Sequence, residues 1–409
     1  MTKTITYPEL EISKLDANSL EMHRFLMEQS QLNKLTDNIE VWTTSASNRA
    51  LAYHSHGIVR YFGKFPPPIA RHLMKTYTKK GDLVIDPMCG SGTTALESLL
   101  LDRKAVCIDV NPLSVLLTKV KSTHIDEAEF NQWLDKLIKI VETDTFQPWH
   151  KFVGLKNPHH WFLEETVASL SKIKYAIKKV GAPEHIENAL YITFIGIIRR
   201  VSRATSQQGR LFLDVVTAEK DALPFFVKKA KANAISLSSI PKNNSNIQVF
   251  EGSLMIEEEL PKVEGELLIC HPPYFNNYKY SGVYSLELSW MDYDHGVIRK
   301  SEVREAFKIG KPEKMSQYID DMEKALINCH KLLKKNGIMG LMIGDTILRN
   351  EYLPVTKLLI DRVSTLFDVE LAALRVPQFT EASWAASQRR HGDKVGVSLS
   401  DFVVVLRKK

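Results

Sequence analysis

From Gly81 onward the chain alternates short apolar runs with longer segments of helical spacing. Asp82-Leu-Val-Ile-Asp86 is an apolar run ending in an acid, followed by Pro-Met-Cys-Gly-Ser-Gly. A run this short, bounded by turn residues, predicts a buried parallel strand, a tight glycine turn and a helix from Thr93 to about Leu101. Lys104-Ala-Val-Cys-Ile-Asp109 predicts a second strand, again ending in Asp, and a helix from Pro112 to about Lys121. Strand, helix, strand, helix in this rhythm implies an α/β sheet with crossover helices.

The rhythm stops between residues 126 and 235. Phe130, Leu134, Leu137, Ile138 and Val141, then Leu163, Val167, Leu170, Ile173 and Ile177, recur at helical spacing. Ala189–Val201 is strongly apolar and leads into Arg199, Arg200 and Arg203. The expectation is a helical insertion over 126–235 with a basic tip at Arg199–Arg210, closed by the polar loop Pro241–Asn246. Strands resume at Ile247–Phe250, Glu266–Cys270, Gly337–Ile343, Val369–Leu374 and Phe402–Leu406, giving seven in all. A helix near Tyr318–Leu333 precedes the fifth. The first fifty residues show little periodicity beyond Met22, Phe25 and Leu26, and read as an N-terminal arm. The α/β part therefore comprises 51–125 and 236–409.

Composition narrows the class. The 409 residues are 44% hydrophobic and 25% charged, which excludes wholesale disorder. No uncharged apolar run reaches about 18 residues, so no membrane span is expected. The opening Met1–Thr6 lacks the apolar core of a signal peptide. The four cysteines (Cys89, Cys107, Cys270, Cys329) form no CxxC pair and read as reduced thiols of a cytoplasmic protein. A net charge of +6 permits a polyanionic partner without requiring one.

Two constellations carry candidate chemistry. In an open α/β sheet, ligands bind at the carboxyl ends of strands. Asp86-Pro-Met-Cys-Gly-Ser-Gly-Thr-Thr94 sits at such an end, with glycines that let backbone approach a ligand. No Lys follows at the position a P-loop requires. Asp109 ends the next strand, where an acid accepts hydrogen bonds from ribose hydroxyls or caps the following helix. The second constellation is Cys270-His-Pro-Pro-Tyr274-Phe275. Its two prolines remove backbone donors and leave carbonyl acceptors beside an aromatic face. That suits a planar group with an NH2 to donate, and equally a rigid loop with a packing Tyr.

Together these motifs resemble the DNA amino-methyltransferases, which make N4-methylcytosine or N6-methyladenine. Asp86–Thr94 is similar to their S-adenosylmethionine (SAM) loop. His271-Pro272-Pro273-Tyr274 is similar to their catalytic tetrad, usually written with Asp, Asn or Ser first. Gly63–Pro67 with Tyr77–Asp82, and Asn276–Tyr280 through Leu286-Glu-Leu288, resemble the flanking segments; the likeness covers about 54–121 and 247–348.

The resemblance implies a Rossmann-like class I methyltransferase sheet of seven strands, the last two forming a hairpin. It implies SAM held by Asp86, Pro87, Cys89, Gly90, Ser91, Gly92, Thr93 and Val110, with Asp109 on the ribose hydroxyls. Phe65 would close over the methionine end. Ser253 stands where an acid often meets the adenine amino group. The target base would leave the DNA stack, and its amine would donate to the residue-271 side chain and the Pro272 carbonyl. His271 departs from the pattern. A neutral imidazole can accept one such bond and a protonated one cannot. A reference pKa of about 6.5 leaves it mostly neutral at pH 7, closer to a Ser than an Asp, which favours N4 of cytosine. Nucleic-acid contacts are expected from Arg199, Arg200, Arg203, Asn276, Tyr278, Arg389 and Arg390, the arginines through phosphates. Double-stranded DNA is the implied substrate, and a restriction endonuclease a partner. An RNA amino-methyltransferase and an inactive SAM- or nucleic-acid-binding relative are the competing readings. The insertion and Tyr280–Lys314 are candidate target-recognition regions.

Overall fold

The computed structural model describes residues 6–207, 210–214, 219–242, 246–275, 280–304, 312–348, 351–377 and 401–409. The main sheet is built from β1 (Glu11–Lys14), β2 (Ile39–Thr44), β3 (Leu83–Asp86), β4 (Lys104–Asp109), β7 (Ile247–Glu251), β8 (Gly265–Cys270), β9 (Leu333–Gly344), β12 (Phe367–Pro377) and β13 (Asp401–Lys408). Two short hairpins stand apart from it: β5 (Ala204–Gln207) with β6 (Arg210–Leu213), and β10 (Thr346–Leu348) with β11 (Glu351–Leu353).

The order across the sheet is β1-β2-β12-β13-β9-β8-β3-β4-β7. All seven predicted strands are present. The chain runs outward from β3 through β4 to β7, then returns to β8 on the other side of β3 and continues to β9. β3, β4, β7, β8 and β9 are mutually parallel, and β13 runs antiparallel between β9 and β12. This is the doubly wound arrangement, closed by an antiparallel pair, that the resemblance implied. The sheet has nine strands instead of seven because the first fifty residues contribute two. β2 pairs in parallel with β12 from Ala372↔Ile39 to Pro377↔Thr44, and β1 covers its outer edge. The fully buried Trp42 anchors β2 in the core.

The alternation of side chains along each strand divides the core. Val84, Leu267 and Ile269 face the helix Pro67–Tyr77 on one side of the sheet. Ile85, Leu268 and Cys270 face the helix Pro312–Lys331 on the other. The helices Glu127–Thr143, Glu164–Lys179, Glu184–Val201 and Leu223–Ser238 follow β4. Their buried Phe130, Leu170, Ile177, Phe194 and Phe226 form one continuous cluster with Leu96, Leu113 and Leu117 of the first two crossover helices. The insertion therefore packs against the elements that carry the glycine turn.

Candidate active site

The glycine turn after β3 is set by backbone geometry. Gly90 and Gly92 both have positive φ, 47° and 73°, which disfavours any residue with a Cβ. A Cβ on Gly92 would also lie 2.8 Å from the Thr118 Cα, so the turn is locked against the helix Pro112–Lys121. The Gly92 N–H closes the turn onto the Cys89 carbonyl at 2.7 Å. The Asp109 carboxylate reaches across from β4 and accepts from the Gly90 N–H at 2.8 Å and the Asn111 N–H at 2.8 Å. The helix cap is a different residue, Asn111, whose side chain accepts from the Leu113 N–H at 3.0 Å. The capping alternative for Asp109 is thus filled by its neighbour.

β3 and β8 are adjacent, and the chain departs from them in opposite directions, so a crevice opens where their carboxyl ends meet. A cleft of about 880 Å³, open mouth included, lies there. It gathers Phe65, Asp86, Pro87, Cys89, Gly90, Ser91, Asp109, Val110 and Ser253 from the expected cofactor set, with His271 and Pro273 from the tetrad. Gly92, Thr93, Pro272 and Tyr274 are not on its wall. Thr93 acts from behind, its hydroxyl donating to the Phe65 carbonyl at 3.0 Å. Tyr61, Met88, Asn111, Tyr280 and Glu302 line the cleft without having been singled out in the sequence. Tyr61 stacks on Tyr284 at 5.0 Å and hydrogen-bonds Ser114 at 2.8 Å, which fixes it beside Gly90. Its signal was only an aromatic before the Gly63 segment.

Electrostatics mark the cleft. Burial pushes the Asp86 carboxyl up to about 7 and that of Asp109 up to about 6. Burial also pushes the Cys89 thiol up, so it is no nucleophile. Two acids held short of full ionisation form a site that favours a cationic ligand with hydroxyl or ammonium donors.

His271 stands at the end of β8. Its ring meets Phe65 and Tyr274 edge-on, each at 5.4 Å between centroids. Its Nε2 lies 3.2 Å from the Tyr274 hydroxyl. Burial, reinforced by the Arg375 charge, lowers its pKa to about 3. The imidazole is thus neutral well beyond what its reference value gives. Tyr318 donates to the Pro273 carbonyl at 2.9 Å and holds the turn in place. Tyr274 is 7% exposed.

The basic residues separate. Arg199 is internal: its guanidinium forks onto Glu287 at 2.9 and 3.0 Å, donates to the Val283 carbonyl at 2.6 Å and lies over Phe62 and Tyr284. Its side chain is only 15% exposed, so its expected phosphate role gives way to an ion pair joining the insertion to the helix Ser285–Trp290. Arg203 is half-buried. Arg200 has an exposed side chain, 3.6 Å from Glu219. Asn276, Tyr278, Arg389 and Arg390 lie outside the described residues. Among the described residues no helix is long and apolar enough to cross a membrane, and no group of His, Cys, Asp and Glu could hold a metal ion.

Residues 4–119 match the family described as DNA methylase. The chain's resemblance is to the DNA methylases. That match begins upstream of residue 54 and takes in both β1 and β2, which accounts for the two added strands as part of the matched region. The chain is 23% identical over 343 residues to the type II methyltransferase M.BsoBI of Geobacillus stearothermophilus, covering 73% of this chain and 65% of that one. It is 34% identical over 97 residues to the type II methyltransferase M.MjaII of Methanocaldococcus jannaschii, covering 24% and 18%. The chain thus spans less than two thirds of the length of either relative. A solved structure, TrmN of Thermus thermophilus, is similar at a TM-score of 0.34 and 12% identity, over 88% of this chain and 53% of that one. The DNA methylase resemblance implies SAM as cofactor, and the cleft fits it. Two buried acids suit its cationic groups and ribose, and the Gly90–Gly92 turn leaves room for close backbone approach.

Proposed function

We propose that the protein transfers a methyl group from SAM to an exocyclic amino nitrogen of a DNA base, N4 of cytosine before N6 of adenine. The observation that carries this reading is the convergence of the Asp86–Gly92 loop and His271 on one cleft, from two adjacent strands. The cofactor supplies an electrophilic methyl on a sulfonium. The chain's own residues do the rest.

An exocyclic amine delocalises its lone pair into the ring and is a poor nucleophile. Acceptors for both of its hydrogens draw the nitrogen toward tetrahedral geometry and free the lone pair. The Pro272 carbonyl, off the cleft wall, is the acceptor that the resemblance assigns, and His271, on the wall, is the other. The tautomer in which Nε2–H donates to the Tyr274 hydroxyl leaves Nδ1 as that acceptor. Phe65, tied to the glycine turn through Thr93, also meets the imidazole edge-on. Positioning by these contacts supplies much of the acceleration. The base leaves the stack at a cost of a few kcal/mol, lowest for an already weakened pair.

In this reading 51–125 and 236–409 form the catalytic unit, and 126–235 a helical insertion beside it. A restriction endonuclease acting on the same DNA site is the implied partner. The test is methylation of unmodified DNA with labelled SAM, followed by digestion and mass separation of nucleosides. Label on an amino nitrogen is expected, and absence of label from DNA overturns the reading.

A further inference from the structure

Ser253 occupies the place where the resemblance puts an acid, and its hydroxyl is committed within the chain. It donates to the Ser301 carbonyl at 3.3 Å and accepts from the Met255 N–H at 3.3 Å. The next residue of that facing segment is Glu302, whose side chain lines the same cleft. Its carboxylate is fixed at both oxygens: Oε1 accepts from the Ser281 N–H at 3.0 Å and Oε2 from the Ser281 hydroxyl at 2.9 Å. Burial raises its pKa, and the charge of Asp109 pushes the same way, so the two acids share one electrostatic environment. An ionised carboxylate has about four acceptor sites, and Ser281 occupies two, one on each oxygen.

We infer that Glu302 accepts hydrogen bonds from the adenosine half of the cofactor, in place of the acid that position 253 lacks. The inference rests on the SAM reading of the cleft. Adenosine offers two ribose hydroxyls and a 6-amino group as donors. Asp109, on β4, and Glu302, on the segment bonded to the loop after β7, line the cleft from separate elements. Ser281 sets the carboxylate in place before ligand arrives, which lowers the ordering cost of binding. Part of the Tyr280–Lys314 stretch therefore serves the cofactor and not target recognition.

The experiment is calorimetric titration of the full chain with S-adenosylhomocysteine and, separately, with 5′-methylthioadenosine, which lacks the amino-acid half. The parent should bind both. Glu302→Gln should weaken both by about tenfold or more and by the same factor. Affinities within twofold of the parent overturn the inference, as does a loss confined to S-adenosylhomocysteine, which would put Glu302 at the amino-acid end. Should Glu302→Gln fail to fold, Ser281→Ala releases Oε2 while the backbone N–H still holds Oε1, and should weaken both ligands severalfold; unchanged binding overturns the inference. A parent that binds neither ligand sinks the SAM reading itself, a result distinct from selective failure of the variant.

Discussion

Asp109 closes the very turn it is expected to serve, its Oδ2 accepting the Gly90 backbone N–H at 2.8 Å across the gap between β4 and the loop after β3. One carboxylate thereby shapes the loop and keeps acceptor sites for a ligand. Asp109→Ala should weaken S-adenosylhomocysteine binding by about tenfold or more, because a charged acceptor is lost together with the turn's tether. Asp109→Asn, which still accepts, should lose less. Equal affinity in the parent and Asp109→Ala would remove Asp109 from the site.

The raised acids make binding depend on pH. Asp86 at about 7 and Asp109 at about 6 bind protons near neutrality, and a cationic ligand favours their ionised forms. Binding therefore releases protons, and affinity should rise from pH 5.5 to 8. Titration in buffers of different ionisation heat measures that release directly. Affinity that falls with rising pH would contradict the assignment.

The same groups act on the ligand-free fold with a definite sign. An acid whose pKa rises on folding contributes stability that is full below its unfolded value, 3.8 here, and is lost as pH rises through the folded value. A folded pKa that lies one pH unit from the unfolded one is worth about 1.4 kcal/mol. Asp86→Asn removes a buried carboxylate and should raise the ligand-free Tm at pH 8 by several degrees, with the gain shrinking as pH falls from about 7 toward 3.8. Differential scanning calorimetry across that range checks it; a gain independent of pH would assign the effect to packing.

The seven strands were legible because each is a short apolar run closed by a turn or an acid, as in Leu83–Asp86. β2 was not, since Ile39-Glu-Val-Trp-Thr-Thr44 is short and becomes a strand only through pairing with β12, more than three hundred residues away. The glycine turn and His271 declared themselves through backbone and proline constraints that are local in sequence. Glu302 and Tyr61 did not, because what brings them to the cleft is tertiary: Ser281 holds one and Tyr284 stacks on the other. Arg199 misled for the converse reason. An Arg after an apolar helix reads as a solvated tip, and only the fold sets Glu287 against it.

Arg199 and Arg200 should accordingly behave differently. Breaking the buried Arg199–Glu287 pair leaves an uncompensated carboxylate, so Arg199→Ala should destabilise the fold by about 3–5 kcal/mol and leave the salt dependence of DNA binding unchanged. Arg200→Ala should cost little stability and flatten that dependence by about one unit of slope if Arg200 meets a phosphate. Urea denaturation and a salt series of binding isotherms separate the two. A flattened slope in Arg199→Ala, with stability retained, would return Arg199 to the DNA path.

His271 ties the product to the pH profile. With its pKa lowered to about 3 by burial, the imidazole is neutral throughout pH 5.5–8 and can accept a hydrogen bond at every point in that range. The methylation rate should therefore show no inflection from His271 there, and an acid-side fall belongs to Asp86 and Asp109. His271→Ala should lower kcat by about a hundredfold with little change in KM for SAM, since a preorganised partner is removed from the reacting amine and not from the cofactor. His271→Ser restores a neutral acceptor and should recover part of the rate, whereas a purely structural His271 would leave Ser no better than Ala. A neutral acceptor at this position resembles the Ser form of the tetrad more than the Asp form, which is why the product should be N4-methylcytosine. Digestion of the labelled DNA decides it. Label in methyladenosine alone overturns the cytosine assignment, and label on carbon-5 of cytosine overturns amine activation by His271 and Pro272 altogether.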